Sequence, residues 1–406
     1  MRSNYKRIGS CIRQINVKNT EGKYDLLLGI NINKYFMPSV ANIVGTDLTR
    51  YKVVKKNQFA CNRMHVGRDY RIPMALSDSE SPFIVSPAYT VFEIIDESNL
   101  LPEYLMMWFS RAEFDRETWF HTDADVRGGL PWDLFCNIEL PIPSIKKQQE
   151  IVNEYNTITN RIALNEKLNQ KLEETAQAVY KHWFVDFEFP NEEGEPYKSS
   201  GGKMVYNEEL DKDIPEGWEV KGLSSIAVYL NGTAMQKHPR NNELEYTPVL
   251  KIRELNLGFS DDKSDKASFD IPEKYKIYNE DIIFSWSGTL TIDIWTGGYA
   301  GLNQHLFKVS SEEFPKWYYY LCTKYYVGEF IRIAEGNKTS MGHIKREHLD
   351  NSYICYSKDG LVKFNYSFET TVKKIILKKL MNNKLSDVRD LMLSKMTKVE
   401  VEEEIV

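Results

Sequence analysis

Cysteine is scarce in this chain: five residues, at 11, 61, 136, 322 and 355, are scattered over 406 positions, and none forms a CxxC pair. That spacing argues against a disulfide framework and against a thiolate metal cage, and it suits a reducing compartment. Long apolar runs are missing as well. The longest, LMMWF at 105–109, falls far short of the roughly 20 residues that span a membrane. The opening MRSNYKRIGS carries no apolar segment of signal-peptide length, so a cytoplasmic chain is expected.

Catalytic spacing is missing too. The sequence contains no GxxxxGK[ST], GxGxxG, HExxH or GxSxG, and no Asp/Asn-Pro-Pro-aromatic stretch of the kind amino-methyltransferases use. Seven histidines are dispersed, and His343 and His348 have no Cys nearby to complete a zinc site. The expectation is a chain that catalyses nothing and binds no metal or cofactor of its own.

A surplus of positive charge is absent in sum, since the net charge is −6. The acids are concentrated, however: Glu192, Glu193 and Glu195 crowd one linker, and Glu400, Glu402, Glu403 and Glu404 crowd the tail. A local basic face therefore remains available.

What is present is a repeat. A shift of 213 lays Pro102 on Pro315, Ile162 on Ile375, Leu164 on Leu377, Asn169 on Asn382 and Leu172 on Leu385. A shift of 215 lays YKRIGSC (5–11) on VKGLSSI (220–226). Two diverged copies thus stand in tandem. The hydrophobic fraction of 42% supplies packed cores for both, which rules against general disorder. In each copy, short β-branched and aromatic runs broken by Gly, Pro and Asn precede a long helix, giving a mixed α/β domain and then a rod. PNEEGEPYKSSGGKMVYNEELDKDIPEGW (190–218) has the composition of an exposed connector.

The first rod has the clearer signal. Ile151, Tyr155, Ile158, Ile162, Asn165, Asn169, Leu172, Ala176, Val179 and Trp183 advance by alternating steps of four and three, which keeps one seam against a partner helix. Ile375, Asn382 and Leu385 repeat the seam in the second copy. About 37 residues at ~1.5 Å each make a rod of roughly 55 Å. The two rods are expected to form an antiparallel coiled coil with a pseudo-two-fold axis, with Asn169 and Asn382 fixing register at some cost in stability. The expected division is 1–145 first domain, 146–189 helix, 190–214 connector, 215–360 second domain, 361–396 helix and 397–406 acidic tail.

Two stretches could meet nucleic acid. RYKVVKKNQFACNRMHVGRDYR (50–71) sets seven basic side chains against one acid, Asp69, with aromatics interleaved. Its Lys55, Lys56, Arg63, His65, Arg68 and Arg71, with Arg127 beyond, are candidates for phosphates and guanine edges. In the second copy, TGGYAGLNQH and EGNKTSMGHIKREH offer Asn303 and Gln304 for adenine, and Lys338, Lys345 and Arg346 for phosphate or guanine.

PIPSIKKQQEIV (141–152), KHWFVDFEFPN (181–191), YKSSGGKMVYNEELDKDIPEGWEV (197–220) and EDIIFSWSG (280–288) together resemble specificity subunits of type I restriction-modification systems, in that family's order of reader, spacer helix, reader, spacer helix. The resemblance implies two target-recognition domains, each reading half of a split double-stranded DNA target. It also implies helices that set the gap and dock two methyltransferase subunits using S-adenosylmethionine. Restriction and translocase subunits using ATP and Mg would join them. The first copy lacks the PEGW entry found at 215–218, and NQFACNRMHVG (57–67) matches EDIIFSWSG only loosely, so the two readers are expected to recognise different sequences. The rival reading from the residues is a coiled-coil scaffold whose globular ends bind proteins.

Overall fold

A computed structural model describes residues 5–40, 45–122, 128–336 and 343–398. The chain divides into two compact units: residues 1–161 with 385–406, and residues 162–384. The first unit is therefore discontinuous in sequence and the second continuous.

In the first unit, the strands β1 (Ile12–Ile15), β2 (Phe59–Cys61), β3 (Met74–Leu76) and β4 (Thr90–Ile94) form an antiparallel sheet in the order β1-β4-β2-β3. In the second, β5 (Val228–Asn231), β6 (Ile282–Ser285), β7 (Thr291–Ile294) and β8 (Leu306–Ser310) form an antiparallel sheet in the order β5-β8-β6-β7. The two topologies are the same. The repeat seen faintly in sequence is thus explicit in the pairing of strands. β2 and β6 lie at interior positions and are buried along their whole length, which explains their apolar runs FAC and IIF.

Each unit's domain is closed where it begins. Tyr5–Arg7 pairs antiparallel with Glu139–Pro141, and Glu219–Gly222 with Tyr353–Tyr356. Phe59, Phe92, Phe109, Phe114 and Phe135 fill the first core, with Phe59 stacked on Phe92 at 5.0 Å. Leu393 and Met396, from the far end of the chain, belong to the same core, and Tyr5 donates a hydroxyl hydrogen bond to Thr397 O at 3.1 Å.

Two long helices, α1 (Ile145–Tyr180) and α3 (Lys358–Lys395), each run through the unit boundary, and α2 (Lys316–Gly336) lies between them in sequence. α1 ends in one π-helical turn, Lys181–Val185, rather than at Pro190. Phe187 then takes φ +63, a left-handed conformation that breaks the helix before the proline is reached. Phe184 is buried against Trp218, Trp317, Phe364 and Phe368, and Phe189 stacks on Tyr197 and Trp218 at 4.6 and 5.0 Å. The aromatics at the helix end belong to the core of the second unit.

The stretch expected to be an exposed connector is partly structured. Met204–Asn207 and Lys212–Pro215 pair as a hairpin whose Ile214 is buried with Phe187 and Cys355. Its polar composition concealed a few inward-facing residues, Met204, Leu210 and Ile214, that pack against that cluster.

Within the second unit, α1 and α3 run antiparallel. Asn169 Nδ2 donates to Ile375 O at 3.3 Å, and Asn382 Nδ2 donates to Ile162 O at 3.2 Å. Under the shift of 213, these two bonds exchange with one another, the local signature of a two-fold axis. Ile162, Asn169 and Ile375 are buried, whereas Ile158, Leu172, Asn382 and Leu385 are half-buried.

Candidate nucleic-acid interface

In the first unit, the chain leaving β2 is tied to residues 128–132. Leu130 N donates to Arg63 O at 2.9 Å and Gly67 N to Gly128 O at 2.8 Å. The two glycines are in backbone contact: a Cβ at position 67 would lie 2.7 Å from Gly128 Cα, and Gly128 has φ +58. Only glycine fits there. The side chain of Arg63 turns into this junction. Its Nε donates to Thr90 Oγ1 at 3.0 Å, another guanidinium nitrogen donates to Leu130 O, and the group lies 5.6 Å over Trp132. The structure therefore spends Arg63 on holding the loop, where the sequence offered it as a base reader.

The basic stretch does not form one face. Lys55 and Lys56 precede the three-residue β2, and Arg63, Arg68 and Arg71 follow it, so the two groups leave opposite ends of that strand. Lys52 turns inward, donating to Tyr89 O at 2.6 Å, and Lys56 is paired with Glu80. Lys55 is exposed and His65 is the half-buried residue capping a short turn of helix. Arg68 pairs with Asp69 at 2.7 Å, which raises the arginine and holds the Asp69 carboxyl below its ordinary range. Arg71 reaches Asn33 Oδ1 at 3.4 Å. Arg127 lies outside the described residues. Composition counted charges; Lys52 and Arg63 turn inward, and Lys56 and Arg68, although exposed, are each paired with an acid.

Beside the arginines stands a cluster that charge counting missed. Tyr70, at φ +55, packs its ring 5.2 Å from Trp119, and Tyr70, Trp119 and Phe120 are all exposed. The signal available in sequence was the aromatic pair Trp119-Phe120 at a helix end.

The second unit repeats the junction with different chemistry. Ile344 N donates to Trp286 O at 3.2 Å, as Leu130 N does to Arg63 O, and Ser287 bridges His343. Trp286 is the hub: its Nε1 donates to Asn231 Oδ1 at 3.1 Å, and its ring lies 6.1 Å from His305 and 6.3 Å from His343. Asn303 is buried and its Oδ1 accepts from His305 N at 3.3 Å, so it shapes its own turn. Gln304 and His305 face one another at 3.2 Å and line a cleft of about 360 Å³ with Gln236, Lys251 and Arg253. Arg253 is held by Asp261 and Glu254, which push its pKa upward. Lys345 pairs with Glu347 at 3.3 Å, Arg346 is exposed, and Lys338 lies outside the described residues. Trp286 escaped sequence reasoning, although its place after β6, matching that of Arg63 after β2, was the signal.

Among the described residues, no three His, Cys, Asp or Glu side chains converge to hold a metal ion, and no helix is long and apolar enough to cross a membrane.

No family model matches the chain. The type I restriction enzyme MjaIX specificity subunit of Methanocaldococcus jannaschii is 28% identical over 319 residues, covering 75% of this chain and 70% of that protein. The HindI specificity subunit of Haemophilus influenzae is 22% identical over 426 residues, covering 91% and 92%. A crystal structure of the type I restriction-modification S subunit from M. genitalium superimposes with a TM-score of 0.49 at 13% identity, covering 98% and 96%. With relatives so named matching most of its length, the chain is a homologue of the specificity subunits of type I restriction enzymes.

Proposed function

We propose that this chain is the DNA-sequence-specificity subunit of a type I restriction-modification complex. Each reader contacts one half of a split duplex target through the loops that leave β2 and β6, and the long helices set the gap. The chain performs no chemistry. Its partners are two methyltransferase subunits, which use S-adenosylmethionine, and restriction or translocase subunits, which use ATP and Mg, in the cytoplasm.

The observation that carries this reading is the alignment with a specificity subunit over 91% of the chain, joined to two sheets of identical strand order. The differing junctions, Arg63 with Trp132 against Trp286 with His305, support two different half-sites. Two copies of one partner are supported by a duplicated apolar patch. Leu164 and Leu168 on α1 are 55% and 41% exposed, and their counterparts 213 residues on, Leu377 and Met381, are 63% and 43% exposed. Each pair is spaced i,i+4 and so shares one helix face.

The test is a map of methylated adenine in DNA from cells carrying or lacking the gene, together with the methyltransferase. The expected result is one split motif that vanishes with the gene. An identical map in both would sink the proposal, and salt-independent failure of the assembled complex to bind duplex DNA would favour the protein-binding scaffold.

A further inference from the structure

Two side chains one turn apart on each long helix grip the second reader. On α1, Glu173 accepts from Lys324 Nζ at 2.5 Å and Gln177 Nε2 donates to Leu321 O at 3.3 Å, so both hold α2. On α3, Lys379 is ion-paired with Asp293, and Asn383 Nδ2 donates to Thr296 O at 2.8 Å, so both hold the end of β7. Lys379 Nζ also lies 3.8 Å from a Glu173 oxygen, which joins the two grips through one cation. The i,i+4 spacing places each pair on a single helix face.

The four ionised side chains are only 21 to 31% exposed, and two cations face two carboxylates. Solvent screens such a group less than it screens surface pairs. The remainder of the seat is apolar, with Ala176, Tyr180, Phe368, Val372 and Ile376 in the reader's core. Apolar burial is non-directional, whereas charge-assisted hydrogen bonds weaken steeply as their angles change. The apolar seat supplies adhesion and the polar grip supplies orientation.

The repeat does not copy this device. The positions 213 residues from Glu173, Gln177, Lys379 and Asn383 are Ser386, Asp390, Glu166 and Gln170. Gln170 bonds Glu174 and Asp390 pairs with Arg389, both local to their own helix. We infer that Glu173, Gln177, Lys379 and Asn383 are positioning residues that fix how the second reader sits on the helices, and thereby how strictly the second half-site must be phased against the first. The inference rests on the chain being a specificity subunit.

The experiment uses Lys379→Met, Asn383→Ala and Lys379→Arg in the full chain. Hydrogen exchange of the isolated protein at residues 291–297 and 318–325 accelerates roughly tenfold in the first two variants and stays at the parent rate in the third. In complex with the methyltransferase, the first two methylate targets whose spacer differs by one base pair roughly tenfold more, relative to the parent spacer, with half-sites unchanged. Unchanged exchange overturns the inference, and so does faster exchange with spacer selectivity intact, which would make the clamp structural only. A wild-type complex that methylates no split target removes the specificity-subunit reading itself, a result that no clamp variant can produce.

Discussion

Replacing Asn169 and Asn382 by leucine one at a time should move stability in opposite directions, although the repeat makes the two positions equivalent. Asn169 is 7% exposed, its Nδ2 makes one long bond of 3.3 Å, and its Oδ1 is buried without a partner. A neutral hydrogen bond contributes about 1 kcal/mol, whereas a stranded buried acceptor costs about 1–3 kcal/mol. Asn169→Leu exchanges both for apolar contact and should stabilise by about 1 kcal/mol. Asn382 differs because its Oδ1 also accepts from Asn165 Nδ2 at 2.8 Å. Asn382→Leu removes two bonds and leaves Asn165 Nδ2 with only Met381 Sδ at 3.5 Å, so a loss of about 1–2 kcal/mol is expected. For a unit of this size each kcal/mol is worth roughly 2–4 °C. Melts followed at 222 nm should therefore show Asn169→Leu above the parent and Asn382→Leu below it. Equal shifts of the same sign, or a lower melting point for Asn169→Leu, would refute the reasoning.

Arg63→Ala should destabilise the first unit by about 2 kcal/mol and speed exchange at residues 62–72, because it strands Thr90 and Leu130 O; an unperturbed exchange profile with altered half-site preference would instead make Arg63 a reader. Arg68→Ala should leave the fold intact and lower the salt slope of DNA binding by about 1 if its exposed guanidinium meets a phosphate; an unchanged slope would remove it from the interface. Matched four-residue insertions after Arg161 and Lys384, where the unit boundary crosses both helices, add roughly 6 Å and should lengthen the methylated spacer by one to two base pairs with half-sites unchanged; a fixed spacer in an active variant would show that the helices do not measure distance. Burial pushes the Cys61 and Cys322 thiols up to about 12, so iodoacetamide at pH 8 should spare both in the folded protein, and rapid labelling of either would show the cores to be open.

The helices were legible because a seam advancing by four and three is periodic, and periodicity survives without knowledge of what it packs against. Asn169 and Asn382 stood out for the same reason, as polar residues at positions where apolar ones recur. The loops were not legible, since a side chain's role there depends on partners distant in sequence. Arg63 turns inward because Thr90 and Leu130 O await it, 27 and 67 residues away. Lys56 loses its free charge to Glu80, and nothing in RYKVVKK announces that pairing. The clamp was invisible for a related reason: Glu173 and Gln177 look like any solvated helix face until Lys324 and Leu321 O are placed against them.

The discontinuity of the first unit has a consequence for how the protein is made. Its core includes Leu393 and Met396, yet 223 residues separate its two segments. At about 5–20 residues per second, the ribosome needs on the order of 10–45 s to deliver them after Arg161 has emerged. During that interval the second unit, continuous in sequence, can complete itself, whereas the core of the first waits for Leu393 and Met396. The order of maturation therefore runs against the usual N-terminal-first sequence. A chain that stops translating before Leu393 carries one finished unit and one that still exposes apolar surface.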